Sequence, residues 1–479
     1  MMSGIKMKKT LGTKIAGVFS VFVGLSLTSL PAIEAGSIRV IGNSAYAQTP
    51  NSNAPKLPGC KAAPEKRRLK TLDQKFFKKV AEVDALMSPE PDPKTGVTAE
   101  SDYKGAWPKL KQLIDRCEDC NPYEFAQLYQ RAAVIQYNLE NIPSSIEYFK
   151  KVLAQTPNIP ESLETQLTYQ VAQLLGAEEK YQESLSFFDK WESLCPAVVS
   201  EDYFYARAQT LYQMDRKADA LKEISAAIKR VEDRGEKPKE GWYKLQMGIH
   251  VDAEDYNAAE KVAEKLVVAY TDYRGIAQLA SIYGMNGKEK EQLALLDALY
   301  VAGGLDREAQ YKNLAYLYLG SDAPYLASKV MEKGLQAKTV SEKDPKNLEL
   351  WAVSLTQAQE LKKAMPIMER AAEGMPDGKA YATLAAIYLD AEQYEKSIAS
   401  ARKALQKGNL RSIGEVNMYL GTAYLGLKKY DDALKVLESA TKDERYSNHA
   451  RNLIRYVQNE KKREEDLRRA SMNEEAEEA

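Results

Sequence analysis

Residues 419–440 read YLGTAYLGLKKYDDALKVLESA, and this stretch decides the fold. Apolar residues recur at helical spacing on both sides of a short charged turn, which predicts two consecutive amphipathic helices. Two antiparallel helices approach closely only where small side chains face each other, and Gly421 and Ala433 supply such side chains. The large residues of both helices then fill the gap to a neighbouring hairpin.

The same pattern recurs along the chain. Each copy has a large apolar residue beside a small one on a first helix, followed by a second amphipathic segment. The anchor residues of the copies lie at positions 132, 171, 207, 245, 279, 314, 351, 384 and 420. The first and last anchors are 288 residues apart over eight steps, a mean of 36. This period is typical of a 34-residue helix-turn-helix unit with short loop insertions.

The repeat resembles the tetratricopeptide repeat (TPR). The resemblance implies an all-α fold, a right-handed α-solenoid of about nine to ten repeats. We predict a nine-repeat array over residues 119–445 and a degenerate helical hairpin over residues 71–118 that covers its apolar end. Residues 446–479 are predicted to hold a capping helix at His449–Val457. A charged, solvated and fraying tail is expected from Glu460 to the end.

The first 47 residues predict a cleaved signal peptide. Four lysines precede an uncharged apolar run at residues 15–30, and a small-x-small motif at residues 45–47 precedes Gln48. A retained membrane anchor is the alternative, but the run is short for a span of about 20 residues. No later segment is apolar enough to cross a bilayer, so we expect a soluble periplasmic protein with a flexible linker over residues 48–70.

Composition and charge narrow the class of partner. Hydrophobic residues make up 44% and charged residues 28%, which is typical of a folded chain. The formal net charge is −1, and removal of the predicted signal peptide changes it to −5. This mildly acidic balance argues against nucleic acid as the main partner. Tyrosine is unusually frequent, with 29 residues against 9 phenylalanines.

The cysteines leave several disulfide pairings open. The candidates are Cys60, Cys117, Cys120 and Cys195, and four cysteines allow three connectivities. A thiol oxidoreductase using Cys117 and Cys120 is the enzymatic alternative, although the sequence lacks the thioredoxin-like βαβ context of such enzymes. A zinc site is not expected, because one CxxC motif and the two histidines, His250 and His449, do not complete a ligand set.

No catalytic grouping stands out. The two histidines lie in different repeats, no glycine-rich phosphate loop is present, and acidic pairs on surface helices are usually solvated or paired with lysine. We therefore predict that the protein is not an enzyme and uses neither a cofactor nor a metal.

The TPR resemblance implies a binding groove along the first helix of each repeat, at its second, fifth, ninth and twelfth positions. In four successive repeats these positions hold Tyr137, Tyr169, Gln173, Tyr205, Gln209, Tyr212, Tyr243, Met247 and His250. This mixture predicts an adaptable peptide groove. The alternative is that several of these tyrosines pack between helices. The carboxylate clamp of chaperone-binding TPR proteins is missing, since Lys312 is followed by Tyr316 at the ninth position.

A narrower resemblance suggests a pathway. Residues 323–335 read APYLASKVMEKGL and resemble the PxxAAxVLExGL segment of an exported proteobacterial TPR family encoded beside TonB, ExbB and ExbD. Residues 300–305 and 347–350 resemble it too. The resemblance implies an accessory of TonB-dependent transport, with TonB, ExbD or an outer-membrane receptor as partner. A scaffold for cell-envelope or peptidoglycan assembly is the alternative.

Overall fold

The computed structural model describes residues 67, 72, 74–91, 96–196 and 199–478, the side chains of 473–478 excepted. Within these ranges the chain is helical, with no strand. The predicted signal peptide, and the predicted linker apart from Arg67, lie outside the described residues. The helices are α1 Gln74–Met87, α2 Tyr103–Asp115, α3 Pro122–Asn138, α4 Ile142–Leu153, α5 Glu161–Ala177, α6 Tyr181–Ser193, α7 Glu201–Gln213, α8 Lys217–Glu232, α9 Glu240–Asp252, α10 Tyr256–Ala269, α11 Tyr273–Met285, α12 Glu289–Ala302, α13 Glu308–Gly320, α14 Pro324–Gln336, α15 Pro345–Gln357, α16 Leu361–Gly374, α17 Lys379–Asp390, α18 Tyr394–Lys407, α19 Ile413–Gly426, α20 Tyr430–Ala440 and α21 Ser447–Glu478.

The helices fall into two compact units, divided between Val262 and Ala263 within α10. In unit 1 the packed pairs are α1/α2, α3/α4, α5/α6 and α7/α8. In unit 2 they are α11/α12, α13/α14, α15/α16, α17/α18 and α19/α20. Short turns join the members of each pair, so the chain is an all-α solenoid of helix-turn-helix repeats, as predicted.

Each predicted repeat turns between its two helices at one left-handed residue. These residues follow the sequence anchors by eight or nine positions and are Glu140, Glu179, Asp215, Glu254, Gly287, Asp322, Gln359, Glu392 and Lys428. The next N–H donates to the carbonyl five residues earlier at 2.8–2.9 Å, the bonding of a Schellman helix end. The same backbone turn therefore sets where the second helix of each repeat begins.

The two helices of a repeat meet at small residues twelve positions apart. The pairs are Ala133/Ser145, Ala172/Ser184, Ala208/Ala220, Ala315/Ala327, Ala352/Ala364, Ala385/Ser397 and Gly421/Ala433, all buried. Where the second residue is serine, its hydroxyl donates to the alanine carbonyl at 2.7–2.8 Å. At Gly421 an added Cβ would overlap the buried Leu437 of α20. The predicted close approach at Gly421 is confirmed.

Tyrosine hydroxyls join successive repeats. In unit 1, Tyr203 donates to Glu192 and Tyr243 donates to Glu232, the latter at 2.9 Å. In unit 2, Tyr318 donates to Asp297 and Tyr388 to Glu369. Each bond runs from a first helix to the second helix of the preceding repeat. Tyrosine suits this position better than phenylalanine because its ring is buried while its hydroxyl reaches a carboxylate.

The helices α1 and α2 fall within the predicted N-terminal hairpin and cover the first face of α3. Phe76, Val80 and Leu110 are buried there in one cluster with residues of α3. Arg131 on α3 forms a two-pronged ion pair with Asp84 on α1, at 2.6 and 3.0 Å. The apolar side of the first full repeat is thus shielded from water.

The charged C-terminal segment is helical. The capping helix does not stop near Val457 but continues as α21 to Glu478, through the segment where a charged tail is expected. Residues 447–479 contain no Gly or Pro and are rich in strong helix formers. Glu464 also accepts a 2.5 Å hydrogen bond from Tyr430. The helix propensity of these residues and the contact of α21 with α20 together extend the helix.

Replacement of Gly421 by alanine should destabilise unit 2 by about 1–3 kcal/mol, because the added methyl overlaps a fully buried leucine. Gly320, the last residue of α13, has open space around its Cα and serves as the matched control. Gly320→Ala should leave stability unchanged or raise it, since alanine favours a helix over glycine. Thermal unfolding followed by circular dichroism compares the two variants, and equal midpoints would contradict the close approach.

Candidate functional site

Two tyrosine–glutamine pairs form the core of the predicted groove in unit 1. On α5 the Gln173 amide nitrogen donates to the Tyr169 hydroxyl at 3.3 Å, and on α7 the Gln209 amide nitrogen donates to the Tyr205 hydroxyl at 3.0 Å. Each pair has i,i+4 spacing and so lies on one helix face. The pairs are 36 residues apart, one mean repeat, so successive first helices present the same polar arrangement.

Tyr169 is anchored by an aromatic cluster. Its ring centroid lies 5.4 Å from that of Trp191, 6.0 Å from that of Phe188 and 6.3 Å from that of Tyr203. Burial is the main cause that raises the pKa of Tyr169, and the charge of Asp202 adds to it. The hydroxyl therefore stays protonated and is held in one place by the rings around it.

Tyr205 is placed by α9. Its ring lies 6.2 Å from that of Trp242, and a Cβ at Gly241 would lie 3.3 Å from its hydroxyl. Burial raises the pKa of Tyr205, although the hydrogen bond from Gln209 acts the other way. At the edge of the same face, Lys239 donates to Asp202 at 2.6 Å. The Tyr205–Gln209 pair thus lies beside the ring of Trp242, and the ion pair of Lys239 and Asp202 lies at its edge.

Tyr212 connects α7 to α9 by donating to the carboxylate of Asp252. Burial, followed by that hydrogen bond, raises the pKa of Tyr212. Lys217 also reaches the Asp252 carbonyl at 3.5 Å. The Tyr212 hydroxyl is therefore committed to a contact within the protein.

Two predicted groove residues are not on an open face. Tyr243 is 3% exposed and Met247 4% exposed, so the prediction that they line the groove is wrong. The Tyr243 hydroxyl is directed to Glu232 on α8, because this tyrosine occupies the inter-repeat position rather than the groove position. Tyr137, at the end of α3, is half-buried, and burial raises its pKa.

His250 lies at the far end of α9. Its side chain is 15% exposed, and its Nδ1 is 3.9 Å from the carboxylate of Asp255. Burial lowers the pKa of His250 more than the nearby Asp255 raises it. The imidazole is therefore neutral near pH 7 and can donate or accept a hydrogen bond at the edge of the face.

The sequence prediction missed Asp202, Asp252 and Trp242 as neighbours of the groove tyrosines. Asp252 is 40 residues from Tyr212, and no local pattern marks the contact. Trp242 stands out in the sequence only as a large apolar residue three positions before the anchor at 245. Both residues reach the face because α7 and α9 lie side by side in unit 1.

The described cysteines are oxidised. Cys117 is bonded to Cys120 in the loop between α2 and α3, and Cys195 is also held in a disulfide. Cys60 lies outside the described residues. Cys117 is buried in the cluster beneath α1 and α2, so this disulfide joins the core of the N-terminal hairpin to the start of α3.

Two kinds of feature are absent from the part of the chain that the structure describes. No helix there is long and apolar enough to span a bilayer. No group of three or more His, Cys, Asp and Glu residues there is arranged to hold a metal ion.

Known proteins offer likenesses at the level of the repeat. No family model and no curated protein matches the chain. Among solved structures, it is similar to a tetratricopeptide repeat protein from Parabacteroides merdae, with 14% identity, a TM-score of 0.35 and coverage of 63% of this chain and 99% of that one. It is also similar to YrrB, a TPR protein with an unusual peptide-binding site, with 15% identity, a TM-score of 0.34 and coverage of 38% and 91%. The Cut9–Hcn1 hetero-tetramer of the APC/C matches with 12% identity, a TM-score of 0.30 and coverage of 74% and 80%.

Stability should fall as pH falls through the ordinary histidine pKa near 6.5, because the folded state takes up the His250 proton less readily than the unfolded state. Above that pH both states are neutral at His250 and the difference vanishes. Urea unfolding at pH 7.5 and 5.5 should show a smaller loss for His250→Gln than for the unchanged protein. With only two histidines in the chain, proton NMR can follow His250 directly, and a raised pKa would contradict the expectation.

Replacement of Cys117 and Cys120 by serine tests the enzymatic alternative. The disulfide closes a short loop, with a sequence separation of 3, so its loss should destabilise the protein by roughly 2 kcal/mol. We expect a lower thermal midpoint with retained partner binding in cells. An unchanged midpoint with lost biological function would instead support a thiol oxidoreductase.

Proposed function

We propose that this protein is an exported scaffold that binds an extended segment of a partner protein on the first-helix face of α5 and α7. The observation that carries the proposal is the repetition of the Tyr–Gln pair, Tyr169–Gln173 and then Tyr205–Gln209. A glutamine amide both donates and accepts hydrogen bonds, as a peptide backbone does. A repeated amide along one face therefore complements a polypeptide better than it complements a small molecule.

The spacing of the pairs also suits an extended chain. The rings of Tyr169 and Tyr203 are 6.3 Å apart, so α5 and α7 are in direct contact. Packed helices lie about 8–10 Å apart, and an extended strand advances about 3.3 Å per residue. A peptide that crosses the two helices meets one pair roughly every third residue. The tyrosine rings add apolar contact area at low entropic cost.

For the pathway, we propose a periplasmic accessory of TonB-dependent transport. The support is the predicted signal peptide and the resemblance of residues 300–350 to the exported family encoded beside TonB, ExbB and ExbD. TonB, ExbD or an outer-membrane receptor is the proposed partner. No cofactor or catalytic step is part of this function.

Replacing Gln173 or Gln209 by alanine should weaken partner binding about fivefold each, the typical effect of one lost neutral hydrogen bond. Gln182 on α6 is the matched control, because it is an exposed glutamine on a second helix. The measurement is in-cell cross-linking of the tagged protein under iron limitation, with identification of the attached proteins. Equal cross-linking yields for the three variants would contradict binding at the Tyr–Gln face.

The identity of the cross-linked proteins tests the pathway separately. Recovery of TonB, ExbD or an outer-membrane receptor supports the transport role. Recovery of cell-wall or outer-membrane assembly proteins, with no TonB component, overturns it in favour of envelope assembly. The binding function stands in either case if the yield depends on Gln173 and Gln209.

A further inference from the structure

A closely fitted arginine lies at the start of α5. Arg67, which precedes α1 in the chain, places one guanidinium nitrogen 2.6 Å from a carboxylate oxygen of Glu164 and the other 3.2 Å from the carbonyl oxygen of Ile159. Its Nε is 3.8 Å from the carboxylate of Glu161, and its backbone N–H also donates to that carboxylate. Three edges of the guanidinium are therefore matched by acceptors that are 92 to 97 residues away in sequence.

The acceptors form a buried site rather than a surface ion pair. Glu164 is only 4% exposed and Ile159 is fully buried, whereas Arg67 itself keeps a quarter of its side chain exposed. Among the described residues, Arg67 is the only cation paired with Glu164. A carboxylate at this depth is strongly destabilised when it lacks a cation, so the site demands a positively charged occupant.

The chemistry favours a guanidinium over an ammonium. The site offers two carboxylates and one carbonyl in different directions, which suits the planar fork of arginine and its five donors. An ammonium ion is a compact point charge and cannot meet all three acceptors at these distances. The walls of the site are the first turn of α5 and the residue before Pro160, so they are set by the helix start.

The site is continuous with the proposed binding face. Glu161, Thr165, Tyr169 and Gln173 follow one another at four-residue spacing along α5, the spacing of one helix face. A chain that crosses α5 at Tyr169 and Gln173 therefore passes about 12 Å along the helix from Glu161. A flanking part of the partner that turns along α5 reaches the position that Arg67 occupies.

We propose that Ile159, Glu161 and Glu164 form an arginine-binding pocket, filled by Arg67 of the same chain until an arginine of the bound partner protein displaces it. Arg67 then acts as an internal competitor that sets which partners bind. This inference rests on the proposed function in one respect only, namely that the competing arginine belongs to a partner protein. The pocket itself is tested without any partner.

The test is chemical rescue of purified Arg67→Ala protein with N-acetyl-arginine amide. Loss of Arg67 leaves Glu164 unpaired and should lower the thermal midpoint by on the order of 5 °C. The arginine probe should restore part of this loss. Its Kd should be on the order of 1 mM, because so small a ligand makes few contacts. N-acetyl-lysine amide should restore less, and the unsubstituted protein should not respond to either probe.

Arg131→Ala is the matched control, because Arg131 also forms a two-pronged ion pair in unit 1 but with the partly exposed Asp84. Its midpoint should not respond to the arginine probe. The double variant Arg67→Ala, Glu164→Gln should be more stable than Arg67→Ala alone, since no buried charge remains unpaired, and should bind the probe at least about tenfold more weakly. If Arg67→Ala does not fold, Arg67→Lys keeps the charge, and calorimetry should detect binding of the arginine probe to it.

Absence of rescue in Arg67→Ala, or equal rescue in Arg131→Ala, would overturn the pocket and leave Arg67 as a structural tie. These outcomes are independent of the cross-linking result. A failed Tyr–Gln face with a successful rescue would retain the pocket, and the reverse would retain the binding face alone.

Discussion

The close approach of the two helices in each repeat is the constraint on which the rest of the structure depends. It requires a small residue on both helices, and the twelve-residue offset from Ala133 to Ser145 recurs as far as Gly421 and Ala433. With small side chains at the contact, the larger ones are directed to either side. They fill the space between successive hairpins, so the same requirement shapes the core within each unit.

Tyrosine occupies several of the positions to either side of this helix contact. A first-helix tyrosine pointing to the preceding repeat is buried and donates to a carboxylate, as Tyr243 does to Glu232. A tyrosine two residues along, as Tyr205 is from Tyr203, faces roughly the opposite way and pairs with glutamine. The same side chain therefore serves stability or the proposed recognition according to its angle around the helix axis.

Both proposed binding features include residues of α5. The Tyr169–Gln173 pair lies in the later turns of this helix, and the acceptors for Arg67 lie in its first turn. A face that offers amides and aromatic edges at one end and buried carboxylates at the other favours a partner segment that carries an arginine near apolar residues. In the proposed mechanism, Arg67 competes with an arginine of the partner for these carboxylates.

The sequence by itself determined the repeat, because the helix period and the spacing of small residues are local properties that nine copies make unmistakable. It also indicated the Tyr–Gln pairs, since an i,i+4 spacing fixes a shared helix face. It did not determine that Tyr243 and Met247 are buried, that Tyr212 binds Asp252, or that Arg67 reaches Glu164. Only the tertiary structure decided these, because burial and pairing depend on how successive helices pack, and a side chain's neighbours lie 11 to 97 residues away along the chain.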